Sequence, residues 1–287
     1  MTDAEQPISD VTSTARMVAA YRAIESDRSD ALFRDPLAQR LAGAQGRAMV
    51  GAQRTARSGW WMVARTKLID DLLDLALADG CDRVVNLAAG LDTRPYRLDL
   101  PHDLPWVEVD HADLLADKQR MLTDQQPRCA LTQHAADLTD PAARRAVLDE
   151  ALSGASRAFV LSEGLLMYLT SDEVTELADD LSRPEIAWWT VDFANAKLID
   201  RIAKRETETL RNAPPEFGPD DGVTFFENLD WTPLEIESVL TAAHRYRRLP
   251  WWMRIIARLP QPDPRHPGNT PWYAVVRFTR GNQRREV

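Results

Sequence analysis

Two rhythms of hydrophobic and polar positions alternate along most of this chain. Short runs dense in β-branched and aromatic residues predict strands over Arg83 to Ala88, Trp106 to Asp110, Cys129 to Ala135, Ala158 to Ser162 and Ile186 to Asp192. Between them, apolar residues spaced three and four apart predict helices over Ala112 to Leu122, Pro141 to Leu152 and Ser171 to Leu181. The runs are too continuously apolar for a sheet with one wet face. They suit strands buried on both sides, joined by right-handed strand-helix-strand units into a mostly parallel, helix-covered sheet.

Helical spacing also precedes the first strand. Thr14 to Ile24 and Pro36 to Leu41 predict two helices, with Asp35-Pro36 as N-cap and first residue of the second. A longer helix is expected from Trp60 to Ala78, where Val63, Leu68, Leu72, Leu75 and Ala76 share a stripe and Gly80 ends it. From Ala194 to Thr224 the alternation stops. A charged helix, roughly Lys197 to Leu210, and the loop Asn212 to Gly222 read as an insertion over a site. Beyond it the pattern predicts a helix starting near Pro233, a short strand around Tyr246 to Leu249 and a final strand from Trp272 to Thr279. The Pro-rich stretch Pro260 to Pro271 is expected to be a stiff surface connection. The whole of 1–287 is expected to be one domain, with 1–59 a helical lid and 194–224 a cap.

Composition narrows the partners. The chain has 287 residues and a formal net charge of −9, which argues against nucleic acid and for small molecules or proteins. Cys81 and Cys129 lack metal-ligand spacing and read as small core residues of a cytoplasmic protein, with no metal expected. The first residues do not read as a signal peptide, and no stretch approaches a membrane span. Trp251 to Leu259 has the composition of an interfacial helix, but an acidic chain offering only Arg254 and Arg258 there predicts a packed lid instead. A membrane partner is therefore not expected. Nothing in the sequence fixes an oligomeric state.

The chemistry gathers at Val84-Val85-Asn86-Leu87-Ala88-Ala89-Gly90-Leu91-Asp92. Ala88, Ala89 and Gly90 leave little side chain to keep a ligand from the backbone. Asp110, ending the next strand 20 positions after Gly90, stands where a carboxylate would hold ribose hydroxyls. A dinucleotide site would want three glycines for its diphosphate, and only Gly90 is present; Asp92 would repel that diphosphate but tolerate a cationic ligand. S-adenosylmethionine, with a sulfonium and an ammonium, fits this charge pattern. In open α/β sheets ligands bind beyond the carboxyl ends of the strands, where Asp92, Asp110, Asp137 and Glu163 collect into an acidic rim. Asp110 would serve the ribose, Asp137 the adenine amino group with Leu138 on the ring, and Glu163 the methionyl end. Asp137 could equally be a helix N-cap.

The segments Ala64-Arg65-Thr66, Val85 to Leu98, Glu108-Val109-Asp110, Ala136-Asp137-Leu138 and Ser162-Glu163-Gly164-Leu165-Leu166-Met167-Tyr168-Leu169 resemble the leucine carboxyl methyltransferase family. The likeness is greatest to its bacterial branch of S-adenosylmethionine-dependent O-methyltransferases, including polyketide O-methyltransferases, and covers about Val11 to Phe278. It implies a class I methyltransferase, Rossmann-like α/β sheet, mostly parallel with an antiparallel last strand. It further implies Arg65 pairing the cofactor carboxylate, Ala88 to Gly90 under the methionyl part, and Asp110, Asp137, Leu138 and Glu163 completing the site. The family often has glycine where this chain has Ala88.

Methyl transfer from a sulfonium needs near-attack geometry more than a base. A carboxylate acceptor is already ionised, whereas a phenol or alcohol would benefit from a tuned base. No histidine is a clear candidate; His111 and His134 fall near the rim. Tyr168 is expected to orient cofactor or acceptor, and Asp192 and Asn195 fall at the same rim. Trp61, Phe225 and Phe226 are expected to line an aromatic acceptor pocket. The expected acceptor is a small aromatic or polyketide-like metabolite. A protein C-terminal carboxylate, an NAD-binding oxidoreductase and a cofactor-binding protein without catalysis are the alternatives.

Overall fold

The computed structural model describes residues 10–52, 59–205 and 214–280. Helices α1 (Asp10–Ser26), α2 (Ala38–Ala52) and α3 (Trp60–Ala78) precede the sheet. Then come β1 (Arg83–Leu87), α4 (Arg94–Arg97), β2 (Pro105–Asp110), α5 (Ala112–Met121), β3 (Ala130–Ala135), α6 (Pro141–Ala151), β4 (Ala158–Ser162), α7 (Ser171–Asp180) and β5 (Ile186–Ala194). The chain finishes with α8 (Ala196–Arg205), α9 (Thr224–Glu227), β6 (Trp231–Ser238), α10 (Val239–Arg245), α11 (Met253–Ile256) and β7 (Tyr273–Arg280). The strands form one sheet in the order β3-β2-β1-β4-β5-β7-β6, parallel except that β7 runs against both its neighbours. The expected mostly parallel sheet with an antiparallel last strand is what forms.

Period-two patterning decides the layers. Val107, Val85, Val160, Trp189 and Phe278 lie in register across five strands and enter one core, with α6 and α7 packed over it. Val84, Trp106, Phe159, Trp188 and Val275 enter the opposite core under α3 and α10. Adjacent Trp188 and Trp189 therefore fill different layers, as successive strand residues must. Cys81 and Cys129 are buried free thiols, and burial pushes them up to about 11 and about 12. Helix boundaries follow local chemistry. The side chain of Asp140 caps α6 ahead of Pro141, Thr170 and Glu173 form a capping box on α7, and Gly80, at φ 86°, ends α3.

Three expectations for the C-terminal third need revision. The residues from Pro233 form strand β6 rather than a helix, and Tyr246 to Leu249 form a turn rather than a strand. Proline is tolerated because β6 is the sheet edge and the register shifts between Pro233 and Glu235. The stretch Trp251 to Leu259 contains only the four-residue α11, and much of its apolar surface is exposed. Helix α8 matches the start of the expected charged helix; the expected continuation through Leu210 and the start of the following loop lie outside the described residues, as does part of 1–59.

Candidate active site

Sheet order places the site. Strands β1 and β4 are neighbours although their connections leave in opposite directions, so a crevice opens beyond their carboxyl ends. There a cavity of about 760 Å³ is lined by Arg65, Ala88, Gly90, Asp110, Asp137, Leu138, Glu163, Tyr168 and Trp61. All the sequence-predicted cofactor residues are thus brought together. Two of the predicted acceptor residues are not. Phe226 is fully buried in an aromatic cluster with Trp189, Phe193, Phe217 and Phe278, and Phe225 packs edge-on to Phe217. Both rings complete the core under β5 rather than face the cavity. The aromatic lining comes instead from Trp60, Trp61, Phe193, Trp272 and Tyr273.

The turn after β1 is shaped by backbone conformation. Ala88 and Gly90 both have left-handed φ, 55° and 51°. A Cβ on Gly90 would meet nothing closer than 3.8 Å, so conformation rather than space favours glycine there. The Gly90 N–H donates to Asp110 Oδ2 at 2.6 Å, while Asp110 Oδ1 accepts from His111 N at 2.7 Å. Two motifs 20 residues apart are thereby locked into one wall. Asp137 is exposed and accepts from the amide and hydroxyl of Thr139, which hold its carboxyl below the usual range. It is not an N-cap; that role belongs to Asp140. Leu138 beside it is buried.

The acidic rim is half neutralised from within. Arg94 donates to Asp92 at 3.1 Å, Glu163 at 2.7 Å and Asp70 at 2.7 Å, and Arg97 also grips Asp70. Arg65 lies 2.9 Å from Glu163 and 3.1 Å from Asp192. Burial would raise the carboxyls of Asp92 and Glu163, but Arg94, joined by Lys118 and Arg97 at Asp92 and by Arg65 at Glu163, outweighs it and lowers both. Asp92 and Glu163 are therefore partners in a buried network, not free charges, because a buried carboxylate must be paired. Three guanidiniums, Arg65, Arg94 and Arg97, face four carboxylates, Asp70, Asp92, Glu163 and Asp192, leaving one net negative charge.

Arg65 is consequently not idle before a ligand arrives. Its Nη1 is shared between Asp192 and the Tyr273 hydroxyl; among the described residues its Nη2 has no hydrogen-bond partner. Tyr273 reaches the rim because antiparallel β7 begins there, opposite Ala194. Its hydroxyl donates to Asp192 at 2.5 Å, and burial together with Asp192 holds it protonated against the pull of Arg65. Asp192 also accepts from Gly164 N at 2.6 Å, whereas Asn195 is spent on the loop at Gly268 and Thr270. His134 pairs with Glu150 and does not line the cavity; His111 does. Arg94 and Tyr273 were not anticipated from sequence. Arg94 had a signal, since two buried acids nearby require a cation; Tyr273 had none without the strand order.

The leucine carboxyl methyltransferase family profile matches residues 15–182. A candidate S-adenosyl-L-methionine-dependent methyltransferase of Parafrankia sp. (strain EAN1pec) is 33% identical over 261 residues, 84% of this chain and 83% of that protein. Another candidate of the same description, from Streptomyces avermitilis, is 37% identical over 202 residues, 65% of this chain and 70% of its own. Among solved structures, a duf574 family protein from Streptomyces avermitilis superposes with TM-score 0.57 at 17% identity, covering 92% of this chain and 96% of that one. A candidate methyltransferase from Thermobifida fusca YX gives 0.57 at 17%, covering 93% and 94%. These two likenesses concern the fold.

Proposed function

Because the chain belongs to the leucine carboxyl methyltransferase family, we propose that this S-adenosylmethionine-dependent methyltransferase acts on oxygen, with a carboxylate or hydroxyl of a small aromatic or polyketide-like metabolite as acceptor. The observation that carries the reading is continuity. One cavity joins Gly90, Asp110 and Leu138 to an apolar chamber walled by Trp61, Phe193, Ile199 and Ile256. About 760 Å³ is ample for a nucleoside amino acid and a small acceptor together.

The residues fit the cofactor. Asp110, held by Gly90 N–H, takes the ribose hydroxyls; Asp137 takes the adenine amino group; Leu138 packs on the ring. Arg65 Nη2 takes the carboxylate, and the turn at Ala88 to Gly90 lies under the methionyl part with Glu163 beside it. Thr66 Oγ1 and Asn86 Oδ1, both buried on cavity-lining residues, have no hydrogen-bond partner among the described residues, and polar groups of an occupant would satisfy them. When bound, the cofactor supplies an electrophilic methyl group on sulfur. Thr14 to Val18 of α1 and Leu198 to Ile202 of α8 exclude water around it.

A carboxylate is the favoured acceptor group. Glu163 and Asp192 are engaged by arginines and Tyr273 keeps its proton, so none is free to serve as base. An acceptor that arrives ionised needs none. Arg201 lines the cavity, is exposed and enters no ion pair among the described residues, so it is the cation available to that carboxylate. Tyr168, also on the wall, orients the acceptor. The test is transfer of labelled methyl to a panel of small aromatic acids and phenols and to a peptide with a free C-terminal carboxylate. Label should enter a small acid, with KM raised about tenfold by Arg201→Ala, the loss expected of one charged hydrogen bond. Label entering only the peptide would contradict the proposal.

A further inference from the structure

Among the described residues eight large apolar side chains are exposed, and five of them fall between Trp251 and Leu259. Trp251 is 70% exposed, Trp252 53%, Ile255 66%, Ile256 46% and Leu259 59%. An exposed cluster of this kind on a soluble chain marks an interaction site. The cluster also sits at a particular place. Met253, Ile256, Leu259, Pro260, Gln261 and Pro262 line the cavity, so this segment separates the apolar chamber from the exterior.

Charge around it departs from the rest of the molecule. The chain carries −9 overall, yet from Val239 to Pro262 there are five arginines and no acidic residue. Arg245 and Arg248 are paired, with Glu237 and Glu25. Arg247, Arg254 and Arg258 are exposed and enter no ion pair among the described residues. Exposed tryptophan, isoleucine and leucine beside unpaired arginines is the chemistry that sits at a lipid headgroup boundary, rings and aliphatic chains below and guanidiniums at the phosphates.

We propose that residues 250–262 dock on an anionic bilayer surface, and that a lipophilic acceptor enters the cavity from the lipid past this segment. Attachment is peripheral, since no described helix is long and apolar enough to cross a membrane. A second copy of the chain is the poorer occupant, because a two-fold interface here would set the cationic stretch against itself. The sequence alone predicts a packed lid and no membrane partner; Met253 and Ala257 do pack on the core, and it is the outward apolar face that departs from that expectation. That expectation counted Arg254 and Arg258 but not the absence of acids around them, nor the outward face.

The test is co-sedimentation of the full chain with phosphatidylcholine vesicles, with and without phosphatidylglycerol. Neither methyl donor nor acceptor is present, so the outcome is separate from that of the proposed reaction. Binding should require the anionic lipid and weaken with salt. Replacing Arg254 and Arg258 together by alanine should lower vesicle affinity on the order of tenfold. Trp251→Ser with Trp252→Ser should abolish it, while thermal unfolding of both variants stays as in the parent protein. Absence of binding to anionic vesicles, or parent-like binding by both variants, would overturn the proposal. So would a dimer in ultracentrifugation that the tryptophan variant dissolves.

Discussion

Ala88 holds a left-handed backbone, φ 55°, that costs a residue with a Cβ about 1 to 2 kcal/mol. Glycine would relieve that strain but would lose about 0.5 to 1 kcal/mol to its freer unfolded chain. The two nearly cancel, with strain the larger. Ala88→Gly should therefore leave the urea midpoint unchanged or slightly raised, and should not weaken cofactor affinity; a loss above about 1 kcal/mol would mean that the methyl group itself supports the turn. This position was legible in the sequence as a departure from a glycine-bearing pattern, but its conformation was not. Asp92 and Glu163 were legible as strand-end carboxylates and misread as open charge. Their pairing with Arg94 depends on the short helix α4, which turns that side chain inward between three acids.

At the scale of elements, β1, β2, β4 and β5 were readable because apolar runs buried on both faces admit few alternatives, whereas the outer strand β3 has no fully buried residue. Edge strand β6 was not readable. Thr232-Pro233 has the form of a helix start, and only the partner β7 makes the same residues a strand. The place of Phe225 and Phe226 just after the cap suggests an acceptor role, whereas α9 turns Phe226 into the core beneath β5. Phe226→Ala should thus cost about 3 to 5 kcal/mol of unfolding free energy, the range for truncating a buried aromatic. Trp61→Ala, on the cavity wall against Tyr273, should instead raise acceptor KM with a smaller loss of stability. Chemical unfolding beside steady-state kinetics separates the two; an acceptor defect in the Phe226 variant without destabilisation would instead place Phe226 at the acceptor.

For the whole molecule, the buried network ties stability to pH. Asp92, Glu163 and Asp35 have carboxyls lowered in the fold, Asp35 by Arg22 and Thr93 against burial. A lowered carboxyl contributes stability that is complete above its unfolded value, near 4, and is lost as pH falls through the folded value. The part of the urea midpoint that rests on these three groups should be complete above about pH 5 and fall steadily below about 4, while Glu108 and Asp74, whose carboxyls burial raises, add a contribution of opposite sense at higher pH. A midpoint insensitive to acid would mean that the arginine network does not hold these groups ionised. The same network leaves the cavity with a slight negative balance, suited to a cationic methyl donor.

Calorimetric titration with S-adenosylmethionine and, separately, with NAD tests the central claim most directly. The protein should bind one S-adenosylmethionine and no NAD. Asp110→Ala and Arg65→Ala should each weaken that binding by about tenfold or more, the cost of a hydrogen bond to a charged group, with Arg65→Ala also lowering stability because Glu163 and Asp192 lose a buried partner. Binding of NAD alone, or unchanged S-adenosylmethionine affinity in both variants, would contradict the account.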